Sequence, residues 1–188
     1  LPRDADALNL LGVVRAQQQR AGEAQRLFRR ALAASPSHVG AHVNLGELLL
    51  TTGRPGAALE ILIRAHRLAP DRPDVNQNLA MLYGGRGEHE RALAHLRLVP
   101  RESARGDYYP LLLKSLLALK RPDEARTLAR EFGESSNVDA LERVRFALLL
   151  GGGGLSEEAL GLLEAARRTS PESFPVLYGL GVVNAAAR

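Results

Sequence analysis

The sequence of 188 residues lacks cysteine and tryptophan, and aromatic residues make up only 4% of it. A chain without cysteine can form no disulfide, no thiolate metal site and no cysteine nucleophile. No apolar run approaches the roughly 18 residues that indicate a membrane-spanning helix. Lys114 and Lys120 are the only lysines among 25 basic residues. This arginine bias, together with abundant alanine and glycine, is typical of a GC-rich genome rather than of nucleic-acid binding.

Motifs that mark enzymes and metal sites are missing or incomplete. The glycine runs at residues 84–87 and 151–154 lack the Gly-Lys-Ser/Thr of a phosphate-binding loop. No Gly-x-Ser-x-Gly elbow is present. His89 lacks the second histidine of a zinc-protease helix, and His38 and His42 have no carboxylate or third ligand in step with them. We therefore predict a protein that is not an enzyme and that needs neither a metal nor another cofactor.

What the chain does contain is a repeat. An alanine returns at intervals of 34, 34, 33 and 34 residues, at Ala24, Ala58, Ala92, Ala125 and Ala159. A second series of small or apolar residues keeps the same step, at Gly12, Gly46, Ala80, Leu113, Ala147 and Gly181. A period of this length indicates a small helical unit that buries its apolar face by stacking on its neighbours.

Each period is predicted to hold two helices joined by a glycine turn. Gly22 and Gly53 are the predicted turn residues of the first two repeats. Pro100 interrupts the regular spacing, because proline lacks a backbone donor and clashes inside a helix. We therefore expect the third repeat's second helix to end near Leu98 and residues 100–106 to form a loop.

The pattern resembles the tetratricopeptide repeat, a 34-residue helix–turn–helix unit. The second repeat carries its residues most fully, in Leu45-Gly46, Ala58, Leu62, Ala65 and Pro70. The resemblance implies an all-α fold, a right-handed α-solenoid of helix–turn–helix repeats, and we expect a bacterial member of the family. The predicted domain is a single solenoid over residues 1–188, with repeats near 5–38, 39–72, 73–105, 106–139 and 140–173 and an extra helix at 174–187.

The resemblance also implies a concave groove that the first helix of each repeat lines. In the family, asparagines on these helices grip the main chain of a peptide; Asn44 and Asn78 match them, and Asn9 lies one place earlier. Cationic residues of the family's clamp for acidic C-termini are replaced here by Asn9, Asp74 and Asn78, which disfavours that mode. The predicted groove residues are Asn9, Val13, Asn44, Glu47, Asn78 and Met81.

The predicted function is a scaffold or adaptor module that binds a protein or peptide ligand. Specific nucleic-acid binding is not expected, since Tyr108 and Tyr109 beside Arg105 form the only cluster of aromatic and basic residues and are expected to pack between repeats.

Two alternatives remain open. The last helix is expected to expose Leu177, Leu180 and Val183, and self-association could cover them. The chain could instead be the regulatory arm of a larger enzyme such as a transferase. Because it begins with Leu1, we expect a piece of a longer protein, and a cytoplasmic or a periplasmic location both remain possible.

Overall fold

The computed structural model describes residues 4–135 and 138–187, and within those ranges it contains eleven α-helices, one 3₁₀ turn and no β-strand. The helices are α1 (Ala5–Gln17), α2 (Ala21–Ala34), α3 (Val39–Thr51), α4 (Pro55–Leu68), α5 (Pro73–Gly85), α6 (His89–Leu96), α7 (Tyr108–Ala118), α8 (Pro122–Glu134), α9 (Ala140–Gly152), α10 (Ser156–Thr169) and α11 (Phe174–Ala186). The predicted all-α fold is confirmed. No helix in the described ranges combines the length and the apolar character needed to cross a membrane.

The chain forms two compact units that divide between Ala104 and Arg105, within the loop predicted at residues 100–106. The N-terminal unit contains α1 to α6 and the 3₁₀ turn Arg101–Ser103, and the C-terminal unit contains α7 to α11. Helix α6 ends at Leu96, slightly before the predicted Leu98. Within the N-terminal unit each helix packs on the next, and the first helices α1, α3 and α5 also contact one another in that order.

The repeated alanines are buried in the second helix of each pair. All five members of the alanine series are 0% exposed. On the facing helix, a Cβ atom at Gly12 would lie 2.5 Å from Cε1 of Phe28, and one at Gly46 would lie 2.7 Å from Cδ2 of Leu62. Glycine is needed at these positions because the backbone of each first helix lies directly against a large side chain of the second.

The turns between paired helices share a left-handed residue, at Gln19 (φ 59°), Gly53 (φ 72°), Gly87 (φ 75°), Lys120 (φ 55°) and Gly154 (φ 81°). The residue after each one donates its N–H to the carbonyl five positions earlier, at 2.8–2.9 Å, which is the Schellman arrangement. The prediction of Gly22 as a turn residue was therefore wrong, since Gly22 lies inside α2. Gln19 occupies the turn position there, and its side chain gives no sequence signal for positive φ.

Helix α11 buries a different face from the one predicted. Leu180 and Val183 are buried (8% and 1% exposed), because they share the face of α11 that packs on α9 and α10. Leu177 is exposed as expected, at 45%. The exposed apolar side chains of α11 follow a helical spacing along the other face, at Phe174, Leu177, Tyr178 and Val182.

Candidate functional site

Two asparagines from successive first helices are joined by a hydrogen bond. Nδ2 of Asn44 on α3 donates to Oδ1 of Asn9 on α1 at 2.8 Å. Asn9 is offset by one residue from the register of Asn44, whose strict counterpart, Leu10, is 65% exposed. The offset does not separate the two amides, because α1 and α3 contact each other and both side chains are half-buried on the surface where they meet.

The next contact in the series joins α3 to α5. Nδ2 of Asn78 donates to Oε1 of Glu47 at 3.2 Å. Glu47 lies three residues after Asn44, hence on the same face of α3. In both contacts an asparagine nitrogen is held by the preceding first helix. Within the described residues neither Asn44 nor Asn78 uses its Oδ1 atom as an acceptor, so each amide can accept a hydrogen bond from a ligand's N–H.

A pocket of about 330 Å³ lies beside these amides, between α1 and α3. Its lining residues are Val13, Ala16, Gln17, Phe28, Asn44, Glu47, Leu48 and Thr51. Phe28, which is 1% exposed, comes from α2 and reaches the pocket past Gly12, whose missing side chain leaves room for the ring. Half of the lining residues are apolar, and the polar ones are Gln17, Asn44, Glu47 and Thr51, of which Glu47 alone is charged.

The predicted site residues fall into three groups. Val13, Asn44 and Glu47 line the pocket, while Asn9 and Asn78 are hydrogen-bonded to pocket residues. Met81, 43% exposed on α5, does not line the pocket. Sequence analysis missed the remaining pocket residues: Ala16, Gln17, Phe28, Leu48 and Thr51. The glycine at 12, sixteen residues before an aromatic of the paired helix, is the one signal that points to Phe28.

Charge is divided between the two layers of helices in the N-terminal unit. The second helices α2, α4 and α6 carry six arginines against three glutamates, and all six arginines are exposed. The first helices α1, α3 and α5 carry one arginine against three acidic residues. That arginine, Arg15, pairs with Glu23 at 3.3 Å, and Asp74 pairs with Arg72 at 2.9 Å. Glu47 forms no ion pair with any residue that the structure describes.

His38 and His42 are both held by hydrogen bonds within the protein. His38 caps α3, accepting the N–H of Ala41 on Nδ1 at 3.1 Å, so that Nε2 carries the proton donated to Asp6 Oδ1 at 3.0 Å. Asp6 thus contacts His38 from another helix, although it does not stand in the 34-residue register with either histidine. In the described parts of the chain, no group of three or more metal-ligating side chains is present. Burial lowers the pKa of His42, which donates from Nδ1 to the carbonyl of His38.

A second polar cluster lies inside the N-terminal unit. Asn76, 0% exposed, donates from Nδ2 to the carbonyls of Pro70 at 2.6 Å and Arg72 at 3.1 Å. Its Oδ1 therefore accepts from Nδ1 of His95, at 2.9 Å. Burial lowers the pKa of His95, and the neighbouring His66, whose ring centroid is 4.9 Å away, lowers it further. These contacts close the end of α4 against α5 and α6, so the cluster is structural.

The tyrosine pair of the C-terminal unit is also part of a core. Tyr108 is 2% exposed and its ring meets that of Tyr109 edge-on, with centroids 5.3 Å apart. Tyr109 in turn contacts Phe132 at 5.2 Å. The buried ring of Tyr108 is part of this core and offers no exposed face on which a base could stack.

Comparison with solved structures gives the same fold. A tetratricopeptide repeat protein from Parabacteroides merdae superposes with a TM-score of 0.77 at 17% identity, covering 97% of this chain and 73% of that one. PilF of Pseudomonas aeruginosa gives 0.71 at 19% identity, covering 97% and 86%. YrrB, described as a TPR protein with an unusual peptide-binding site, gives 0.65 at 21% identity, covering 84% and 82%.

Among curated proteins, the chain is similar to protein O-mannosyl-transferase TMTC3. It is 36% identical to the mouse protein and 34% identical to the human protein, in each case over 76 residues. The match covers 40% of this chain and spans only 8% of the length of either relative.

The family comparison agrees with the spacing of the helices. The tetratricopeptide repeat profile matches residues 15–66 and 49–115, which together make up more than half of the chain. The buried alanines, the glycine contacts and the Schellman turns are the physical counterparts of that match. The chain belongs to the tetratricopeptide repeat family.

Proposed function

We propose that the N-terminal unit binds an extended peptide segment of a partner protein on the surface formed by α1, α3 and α5, here called the first-helix surface. The chain would thereby act as a scaffold or adaptor, the general role of its fold. The peptide-binding site that is described for YrrB, a protein of the same fold, is consistent with this proposal.

The observation that carries the proposal is the pair of anchored amides. Asn44 and Asn78 are each fixed by a hydrogen bond to the neighbouring first helix. A peptide main chain offers N–H donors whatever its side chains are, and the Oδ1 atoms of these amides can accept from them. Because the side chains are already held in place, less conformational entropy is lost when the peptide binds.

Panning a random peptide library on the purified chain tests this function. Enriched peptides are then measured against the Asn44→Ala, Asn78→Ala double variant. An Arg29→Ala, Arg67→Ala variant serves as the matched control, because both arginines are exposed on second helices. We expect binding to weaken at least tenfold in the asparagine variant, corresponding to about 1.4 kcal/mol, and to stay unchanged in the arginine variant.

Two results would contradict the proposal. Peptides that bind the asparagine variant as tightly as the wild type place the site elsewhere, and weakened binding to the arginine variant alone identifies the second helices as that place. Failure to enrich any peptide would exclude peptide recognition by this chain. Circular dichroism of each variant separates a lost contact from a lost fold.

Self-association through α11 is a second candidate, favoured by the exposed apolar face of that helix. Phe174 is 76% exposed and Tyr178 57% exposed, and their rings stack with centroids 6.1 Å apart. If this face pairs with a second copy, Tyr178→Glu reduces the mass measured by light scattering to that of a monomer. Leu141→Glu, at a comparably exposed leucine on α9, leaves it unchanged. A wild-type monomer at all concentrations would exclude this candidate.

A role as the regulatory arm of a larger enzyme is a third candidate, favoured by the similarity to TMTC3. An antibody raised against this chain would then purify from its source cells a protein much larger than 20.3 kDa that transfers mannose to acceptor peptides. A purified protein without transferase activity contradicts it.

A further inference from the structure

The pocket between α1 and α3 and the carboxylate of Glu47 lie at one place on the first-helix surface. We propose, as an inference that rests on the peptide-binding function above, that the ligand is a cationic peptide segment. It places a large apolar side chain in the pocket and an arginine or lysine against Glu47.

The interior of the pocket selects an apolar group. Val13, Ala16, Phe28 and Leu48 contribute aliphatic and aromatic surface. A volume of about 330 Å³ is at the lower end of the range for ligand pockets, which suits one large side chain rather than a cofactor-sized molecule. Asn44 at the edge can accept an N–H from the main chain that carries this side chain, which fixes where the peptide enters.

The rim selects a positive charge. Glu47 is exposed and lines the pocket, and one of its oxygens accepts from Asn78 at 3.2 Å. That hydrogen bond orients the carboxylate without neutralising it. No described arginine, lysine or histidine pairs with Glu47, so its charge is available to a ligand. A carboxylate held in this way favours a guanidinium or ammonium group at hydrogen-bonding distance.

The nearest alternative, an acidic peptide, is disfavoured by the same surface. The one arginine of the first helices, Arg15, is occupied by Glu23 and by Oε1 of Gln18, at 3.3 and 2.9 Å. Asp74 on α5 is paired with Arg72. An acidic ligand lying on the first helices would therefore meet the charge of Glu47 without an unpaired cation on these helices to compensate.

The test begins with peptides enriched by panning a random library on the full chain. The measured quantities are the frequencies of arginine, lysine and large apolar residues, and then the Kd of individual peptides by fluorescence polarisation. Each peptide is also made with its basic residue changed to glutamate and, separately, with its apolar residue changed to serine. The protein variants are Glu47→Gln, Glu47→Lys and Ala16→Leu, which fills the pocket. Glu60→Gln, at another exposed glutamate that lies on α4, is the control for a lost charge.

We expect basic and apolar residues to be enriched close together. Glu47→Gln should weaken binding by about three- to tenfold, the range for one partly exposed charge pair, and Glu60→Gln should leave it unchanged. Glu47→Lys should bind the glutamate-substituted peptide better than the parent peptide, which a merely structural role for Glu47 would not produce. Ala16→Leu should weaken the parent peptide more than its serine version.

The outcomes separate this inference from the function on which it rests. Peptides that need Asn44 and Asn78 but show no basic preference, and whose Kd is unchanged by Glu47→Gln, overturn the inference and leave peptide binding intact. Acidic peptides weakened by Arg15→Gln would overturn it as well. Peptides that bind independently of both asparagines overturn the proposed function itself.

Discussion

At the scale of single residues, the turns between paired helices are built around a left-handed backbone position. Glycine occupies it in three of the five turns, and Gln19 and Lys120 occupy it in the other two. A Cβ atom makes this conformation unfavourable by about 1–2 kcal/mol. Gln19 and Lys120 therefore hold a strained conformation that the helices on either side impose on them.

Replacing these residues by glycine should stabilise the protein. For Lys120→Gly and Gln19→Gly we expect a gain of about 0.5–1 kcal/mol each in the free energy of unfolding, since the relief of strain exceeds the added entropy of the unfolded chain. Urea denaturation at neutral pH measures it. Gly53→Ala is the reverse control: no atom lies within 4 Å of a Cβ there, so a loss of about 1 kcal/mol would reflect the backbone alone. Destabilisation by Lys120→Gly would contradict the assignment.

Gly12 is a single residue that affects both the core and the pocket, because it lies against Phe28, which is buried and lines the pocket. A Cβ on residue 12 would lie 2.5 Å from the ring of Phe28 and would displace it. We expect Gly12→Ala to lower the free energy of unfolding by about 1–3 kcal/mol, the usual cost of overpacking. Gly22→Ala provides the matched control, because Gly22 lies in α2 with open space around it and alanine favours a helix there by about 0.5–1 kcal/mol. Equal effects of the two substitutions would disprove the contact with Phe28.

At the scale of helices, one position of the repeat is occupied by side chains of different chemistry in different repeats. Leu8 of α1 is buried, and the equivalent residue of α5 is Asn76, which donates to the carbonyl of Pro70, just after α4, and to that of Arg72, just before α5. In the C-terminal unit the equivalent Arg143 donates to the carbonyls of Gly133 and Ser135, at 2.8 and 2.9 Å, and so closes the end of α8. One position of the repeat can therefore be either apolar core or a polar cap.

The cluster around Asn76 should make stability depend on pH. The pKa of His95 is lowered from its ordinary value of 6.5 by burial first and by His66 second. The stability that neutral His95 contributes is therefore complete above pH 6.5 and is lost as the pH falls from 6.5 through the lower pKa of the folded state, because the unfolded chain binds the proton more readily. The other charged or aromatic neighbours described around His95 are Tyr83, stacked on it, and Arg91, over the ring of Tyr83.

We expect the free energy of unfolding to fall as the pH is lowered below about 6.5, the ordinary pKa of histidine, and to fall less in His95→Gln. Glutamine does not titrate, and its amide can still donate to Oδ1 of Asn76. His42, whose pKa burial also lowers, contributes in the same direction in both proteins, so a pH dependence remains in the variant. Denaturation curves at several pH values give the comparison. An identical pH dependence in wild type and variant would show that His95 does not carry the effect.

Helix positions were predictable from the sequence because one geometric demand, the close approach of paired helices, recurs every 34 residues and admits only small side chains. The hydrogen-bonded pairs of side chains could not be predicted in this way, because they join residues that lie outside the 34-residue register. Asn9 reaches Asn44 from an offset position, and His95 finds Asn76 from another helix. Gln19 shows a third limit, since the helices around it enforce a turn that glutamine does not signal. The buried and exposed faces of α11 were misassigned because apolar residues occur on both faces, so the sequence does not show which face packs on α9 and α10.

At the scale of the whole molecule, the chain consists of two units that each enclose their own core. Leu8, Leu27, Ala31 and Ala41 form one contiguous apolar cluster within the N-terminal unit. In repeat proteins stability is approximately the sum of contributions from repeats and their neighbouring interfaces, so a unit with a closed core can fold without the rest.

A fragment of residues 1–104 should therefore fold alone. We expect an α-helical circular dichroism spectrum and a cooperative thermal transition, because the core residues of α1 to α6 lie on those same helices. The fragment should also retain the peptides that depend on Asn44 and Asn78. A spectrum of an unfolded chain would contradict the division between Ala104 and Arg105.

The segregation of charge in the N-terminal unit gives that unit an electric dipole. Its positive side is the layer of α2, α4 and α6, and its negative side is the layer of α1, α3 and α5. A cationic molecule diffusing nearby is turned away from one side and drawn to the other before any contact forms. Association with the first helices would thus be fastest at low ionic strength and slow as added salt shortens the reach of the field. An anionic resin would hold the unit by its second helices, with the first helices facing the solution.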